Sequence, residues 1–282
     1  MELTVEGRKV HAATGGRAFA TGMPAVVFIH GAGCDHTVWQ LPARWFAWHG
    51  HAVLAVDLPG HGRSDGPPLA SVADLAQWVG RLLNAAGAST AALVGHSLGG
   101  AIALEVAALK PERVTRIALL GAAAAVPVNP ALLDAAREAP DRAYRLMTAW
   151  AHASAAKLGG NPAPGMWMTG GTLALLARNR PGVLNADLEV CNAWRSGPEA
   201  ARKVRCPALV ITATNDIMTP AKAGRELARL IPGARSVAIA DCGHMLLAEA
   251  PDAVLDALID YFCHGQAMLP KQAQSREAEG RS

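Results

Sequence analysis

The stretch Gly95-His96-Ser97-Leu98-Gly99-Gly100 follows the apolar run Ala91-Ala92-Leu93-Val94 and opens the helix-like segment from Ala101 to Lys110. A serine bracketed by glycines, between a strand pattern and a helix pattern, reads as a sharp strand-to-helix turn. In such a turn the serine backbone is strained, and the residues two positions away on either side must lack side chains that would collide. The serine oxygen is then held at the carboxyl edge of a sheet, at the positive end of a helix. A glycine-rich turn that merely packs a helix on a strand uses the same letters, so the reading depends on what else reaches that edge.

Outward from this turn, short runs rich in Val, Ile, Leu and Ala recur at Ala25 to Ile29, Ala52 to Val56, Ala91 to Val94, Arg116 to Leu120, Ala208 to Ala213 and Ser236 to Ala240. Continuous apolar character marks strands covered on both faces, hence a parallel sheet. Leu3 to Val10 adds an edge hairpin. Helical stretches lie between, at Ser71 to Ala86, Ala101 to Lys110, Ala221 to Leu230 and Asp252 to Phe262, punctuated by Pro111, Pro232-Gly233 and Pro251. The alternation predicts an α/β fold with a doubly wound, mostly parallel sheet. In such sheets reactive groups gather at the carboxyl ends of the strands.

From Ala122 to Ala201 the rhythm breaks into successive helical stretches with no convincing strand. The expected organisation is therefore a core over 1–121, an inserted helical cap over 122–201, the rest of the core over 202–264, and a polar, disordered tail over 265–282. The cap carries Trp150, Met166, Trp167, Met168 and Trp194, with bends at Gly159-Gly160-Asn161-Pro162 and Gly170-Gly171. Trp150, Trp167, Met168 and Trp194 are candidates for a substrate pocket, although helix packing calls for the same residue types.

Composition narrows the function classes. With 282 residues, 51% of them hydrophobic, the chain can bury a large core. A net charge of +3 without a long basic run argues against a nucleic-acid groove or a polybasic membrane patch. The amino terminus lacks a secretory apolar core and no stretch approaches eighteen apolar residues, which predicts a soluble, cytoplasmic protein. The 5 cysteines are scattered without Cys-x-x-Cys spacing, so a disulfide framework and a zinc site are not expected. With no metal cluster, phosphate loop or dinucleotide fingerprint, no cofactor is predicted, and the expected partner is a small-molecule substrate.

A serine near its free pKa is a poor nucleophile and needs a base, with a third group to orient the base. His244 follows the last strand in Asp241-Cys242-Gly243-His244, where a loop lets the imidazole reach Ser97. Asp216 follows the Ala208 strand in Thr214-Asn215-Asp216-Ile217, at the same sheet edge. Each has an ordinary alternative, an N-cap for the Ala221 helix and a loop histidine; chain order and shared edge together favour catalysis. Asp241 competes with Asp216 but lies very near His244 in sequence, and His96 and His61 read as fold and turn residues. Donors for a developing oxyanion are expected from the backbone N–H of Leu98 and, in His30-Gly31-Ala32-Gly33, from that of Ala32. Cys34 adjoins that loop.

Taken together, His30 to Gly33 with Trp39, the turn Asp57-Leu58-Pro59-Gly60-His61-Gly62-Arg63-Ser64, the Ser97 turn, Asp216 and Gly243-His244 resemble the α/β-hydrolase superfamily over about residues 20 to 262, in its capped, serine-nucleophile branch. The resemblance implies the triad Ser97, Asp216, His244 and an acyl-enzyme that cleaves a carboxylic ester or lactone. It also leaves open carbon-carbon bond hydrolysis, acyl transfer, and peracid formation as in non-haem haloperoxidases. A binding protein that keeps the fold is the non-enzymatic alternative. Serine in place of aspartate at position 97 argues against dehalogenase and epoxide hydrolase chemistry. The Asp57 turn has a structural role in the family.

Overall fold

A computed structural model of the chain describes residues 1–160 and 166–264. Asn161 and Pro162 of the expected bend, and the expected tail at 265–282, lie outside the described residues.

The chain opens with an antiparallel hairpin, β1 (Glu2–Val5) and β2 (Arg8–Ala13), followed by β3 (Ala25–Ile29), helix α1 (Gln40–Trp48) and β4 (Ala52–Val56). Next come α2 (Val72–Ala85), β5 (Ala91–His96), α3 (Leu98–Leu109) and β6 (Val114–Leu120). Among the described residues, six helices then follow without an intervening strand: α4 (Pro130–Glu138), α5 (Pro140–Ala151), α6 (Ser154–Lys157), α7 (Met168–Ala177), α8 (Val183–Ala193) and α9 (Gly197–Lys203). The sheet resumes with β7 (Ala208–Ala213), α10 (Ala221–Leu230) and β8 (Arg235–Ile239), and α11 (Leu246–Glu249) and α12 (Pro251–His264) complete the described chain.

The eight strands form one sheet in the order β1-β2-β4-β3-β5-β6-β7-β8. β2 runs antiparallel to β4, and β4, β3, β5, β6, β7 and β8 are mutually parallel. This is the α/β sheet that the apolar runs predict. β3, β4, β5 and β7 are buried along their whole length because helices cover both faces. β8 departs from that pattern, since its first residues are exposed at the sheet edge.

Alternation along β3 divides the core in two. Val27 and Ile29 pack with Leu75 of α2 and Ile102 of α3, while Val26 and Phe28 pack with Phe46 of α1 and Leu258 of α12. α3 is buried almost all round, between the sheet, α2 and α9, which explains why its sequence carries no polar stripe. α1 is absent from the sequence reading. Its first turn, Gln40-Leu41-Pro42, hides a helix start, because proline is tolerated there only where the N–H has no helical partner. Ser71 caps α2 by accepting from the Asp74 N–H at 3.0 Å. No helix among the described residues is long and apolar enough to cross a membrane.

Candidate active site

Ser97 sits between β5 and α3 with φ 53° and ψ −117°, one of few non-glycine residues in the described chain with positive φ. Such a backbone persists only where its surroundings over-determine it. Here the glycines do so. A Cβ on Gly95 would lie 2.1 Å from the Gly99 carbonyl oxygen, and one on Gly99 would lie 2.1 Å from the Ile29 carbonyl oxygen. Both positions therefore exclude any side chain, and the start of α3 presses directly on the end of β3. The Leu98 N–H opens α3, where the first N–H groups lack intrahelical partners.

Asp216 follows β7 and His244 follows β8, at the same sheet edge as Ser97. His244 Nδ1–H donates to Asp216 Oδ2 at 2.8 Å, with both side chains almost wholly buried. The other carboxylate oxygen, Oδ1, accepts from the N–H groups of Met218 and Thr219, both at 2.8 Å. With its Nδ1 proton held by the carboxylate, a neutral His244 presents the lone pair of Nε2. Asp241, the competitor, is exposed at the surface with φ 57°.

His96 points into the fold and serves the site indirectly. Its Nε2–H donates to the His244 carbonyl at 2.9 Å, and burial followed by the neighbouring His244 ring lowers its pKa to about 3. A neutral His96 thus props the loop that carries His244. His30 acts similarly. Its Nδ1–H donates to the Gly31 carbonyl at 2.9 Å, its Nε2 accepts from the Leu58 N–H at 3.1 Å, and burial lowers its pKa to about 4. Cys34 is buried in the same loop with its thiol pushed up to about 12 by burial, so it is not a reactive thiolate.

Ser97, His244 and Ala32 line a cavity of about 270 Å³. Met147, Trp150, Leu188 and Cys191 from the helical insertion wall it on one side, with Val126, Val128 and Leu132 from the segment before and within α4. Ile217, Met218 and Thr219 enclose it from the core. Of the aromatic and methionine residues singled out in sequence, only Trp150 is on this wall. Trp167 is 75% exposed, and Met168 is buried at the start of α7. Trp194 is buried elsewhere, where its indole N–H donates to Glu105 at 3.2 Å. These three take the packing or surface role that their residue types equally allow. A much smaller space of about 10 Å³, also bordered by Ser97 and His244, is lined by Gly31, His96, Thr172 and Met245.

Two buried carboxylates that sequence reasoning missed tie the insertion to the core. Asp187 of α8 accepts on one oxygen from the Gly33 N–H and from His61 Nε2–H, each at 2.8 Å. Burial disfavours the charged His61 ring, but the Asp187 carboxylate outweighs it and the pKa is raised. Glu249 accepts from the N–H groups of Gly243, at 2.9 Å, and Ala153, at 3.2 Å, beside His152 at 3.1 Å. Asp187 with Gly33 and His61, and Glu249 with Ala153, are too far apart in sequence to leave a local signal. A third cluster, His11, His36 and Asp57, brings ligand-type atoms within 4.8 Å of one another. Its carboxylate is already engaged: Oδ1 accepts from the His36 N–H and Nδ1–H, each at 2.8 Å, and Oδ2 from the Arg63 N–H at 2.9 Å. This is the structural role implied for the Asp57 turn.

Comparison with known proteins bears on the fold and the family. Over 245 residues the chain is 25% identical to the (E)-2-((N-methylformamido)methylene)succinate hydrolase of Acinetobacter baylyi, covering 83% of this chain and 88% of that protein. A shorter match, 41% over 101 residues, is to the dihydrolipoyllysine-residue acetyltransferase component of the acetoin cleaving system of Cupriavidus necator; it takes in 35% of this chain and 26% of that protein. The crystal structure of the enol-lactonase from Burkholderia xenovorans LB400 superposes with a TM-score of 0.83 at 24% identity, over 93% of this chain and 99% of that one. The sequence profile described as alpha/beta hydrolase fold matches residues 24–251. The chain therefore belongs to the α/β-hydrolase fold family and is a hydrolase enzyme of that fold.

Proposed function

We propose that the protein is a serine hydrolase that cleaves a carboxylic ester or lactone through an acyl-enzyme, with residues 122–201 as a cap over the site. The observation that carries this reading is the buried 2.8 Å hydrogen bond from His244 to Asp216, on a cavity that His244 shares with the strained Ser97. Ser97 Oγ attacks the substrate carbonyl carbon while His244 Nε2 takes the hydroxyl proton. The oxyanion is held by the N–H groups of Ala32 and Leu98. On collapse the carbon–oxygen bond to the leaving group breaks and His244 returns the proton to the departing alkoxide. Water, deprotonated by the same imidazole, then releases the acid and regenerates Ser97. Asp216 holds the productive tautomer and stabilises the imidazolium formed at each step.

The test is steady-state hydrolysis of p-nitrophenyl acetate, butyrate and octanoate and a panel of small lactones, wild type beside Ser97→Ala. Turnover lost in a folded Ser97→Ala protein supports the reading. Residual activity above about 1% of wild type in a pure preparation overturns the assignment of Ser97.

A further inference from the structure

Resting on that reading of Ser97, we propose that the substrate is a small, uncharged ester or lactone whose acyl group is mostly apolar. Among the described residues, the walls of the 270 Å³ cavity include no lysine, arginine, aspartate or glutamate. The arginines of the insertion lie off the cavity wall. Arg178 is paired with Asp35, Arg137 with Glu189, Arg180 donates to the Ser64 carbonyl, Arg195 donates to the carbonyls of Asn192 and Trp194, and Arg142 and Arg145 are exposed on α5. The ring of His244 is committed to Asp216 and is required as the base. A carboxylate on the acyl group would meet no cationic side chain on these walls, so it would enter less readily than a neutral group of the same size.

Among the described residues, besides Ser97 and His244 the cavity is lined by the polar side chains of Asn129 and Thr219, with the Trp150 indole and the Cys191 thiol as further side chains that carry a donor. Asn129 already accepts from the Ala131 N–H through Oδ1 at 2.9 Å, so its free NH₂ is a donor suited to a neutral oxygen. The volume lies near the lower end for small-molecule sites, about 300–1,000 Å³. The second space bordering Ser97, about 10 Å³, has room for about one water, so the bulk of the substrate lies in the larger cavity with Trp150.

The deciding experiment compares p-nitrophenyl hexanoate with the mono-p-nitrophenyl ester of adipic acid, which differs by a terminal carboxylate. Wild type is expected to favour the neutral ester in kcat/KM by about 100-fold or more. Leu188→Arg, which places a cation on the wall, is expected to narrow that ratio by about 10-fold. Equal or better turnover of the carboxylate ester by wild type overturns the substrate class and leaves the hydrolase reading intact. If neither ester turns over although Ser97 still labels with a fluorophosphonate, the substrate class falls and the nucleophile stands. Failure of both turnover and labelling overturns both.

A separate observation points to Asp187 as a positioning residue. The same α8 whose Leu188 and Cys191 wall the cavity uses Asp187 to hold Gly33 N–H, next to Ala32. Asn179, two residues past α7, donates to the Gly33 carbonyl, so the insertion holds both the N–H and the carbonyl of Gly33. Asp187 therefore fixes the loop that aims the Ala32 N–H. Asp187→Ala is expected to lower kcat by about 10-fold or more with KM changed less than about threefold. Asp187→Asn keeps one oxygen able to accept both hydrogen bonds, and is expected to recover most of that loss. An unchanged kcat in Asp187→Ala, or a loss confined to KM, overturns the assignment, as does an Asn variant no better than Ala despite an unchanged Tm.

Discussion

At the sheet edge, Ser97, Asp216 and His244 are set by backbone: a turn that tolerates no Cβ at Gly95 or Gly99, and loops that leave β7 and β8 side by side. In the helical insertion, Trp150, Trp167 and Trp194 are three copies of one residue type with three fates, on the cavity wall, at the surface, and in the interior. The difference teaches where specification resides. Close backbone approach leaves a mark in sequence, because only glycine fits at Gly95 and Gly99, and the spacing around Ser97 makes that mark readable. Side-chain packing between helices leaves no such mark, because many apolar residues serve.

If the comparison is sound, changes at the edge should be severe and specific. Asp216→Asn is expected to lower kcat by about 10³-fold or more, since the amide favours the wrong His244 tautomer; full activity in this variant would move the orienting role elsewhere. Gly99→Ala should cost about 3 kcal/mol or more in chemical denaturation, because its Cβ would strike the Ile29 carbonyl at 2.1 Å. A near-neutral result would show that the turn is looser than its glycines imply.

A polar version of the same edge lies in the Asp57 turn. Burial opposes ionisation of Asp57, but hydrogen bonds from the His36 ring and the Arg63 and His36 N–H groups prevail and depress its pKa from 3.8 to about 2. A depressed carboxyl pKa contributes stability above the unfolded value that is lost as pH falls through the folded one. Asp57→Asn should therefore destabilise by about 2 kcal/mol near neutral pH, with the gap to wild type closing between about pH 4 and 2. Urea titrations across that range would show it, and a gap independent of pH would contradict it.

The insertion should respond in smaller, graded steps. Trp150→Ala, which enlarges the cavity, should shift the chain-length profile toward longer acyl groups with about tenfold or smaller changes in kcat/KM. Trp194→Phe should leave that profile untouched and cost about 1–2 kcal/mol in stability, since Glu105 loses a buried donor. A reversal of these two outcomes would break the distinction between wall and packing.

How far the molecule can be read from its letters follows the same division. The parallel strands are legible as unbroken apolar runs. The three residues of the proposed triad are legible because each follows such a run at the one edge where chemistry can gather. α1 is hidden behind Pro42. The cavity wall is hidden for a subtler reason: Val126, Leu132 and Cys191 carry no chemistry that separates lining from packing, and the tryptophans mislead by their size. His61 with Asp187, and Glu249 with Ala153, are ordinary letters whose meaning lies in contacts between distant segments.

Those two carboxylates bear on engineering. The insertion lends Asp187 to the loop after β3, and the core lends Glu249 to the start of α6, so each half completes the other. A transplant of residues 122–201 from a relative lacking an acceptor at position 187 would strand the Gly33 N–H and the His61 ring. A recipient scaffold without the carboxylate of position 249 would strand the Ala153 N–H. Exchange of substrate range between such enzymes is thus a matter of moving a helix bundle together with its two anchors, one on either side of the splice.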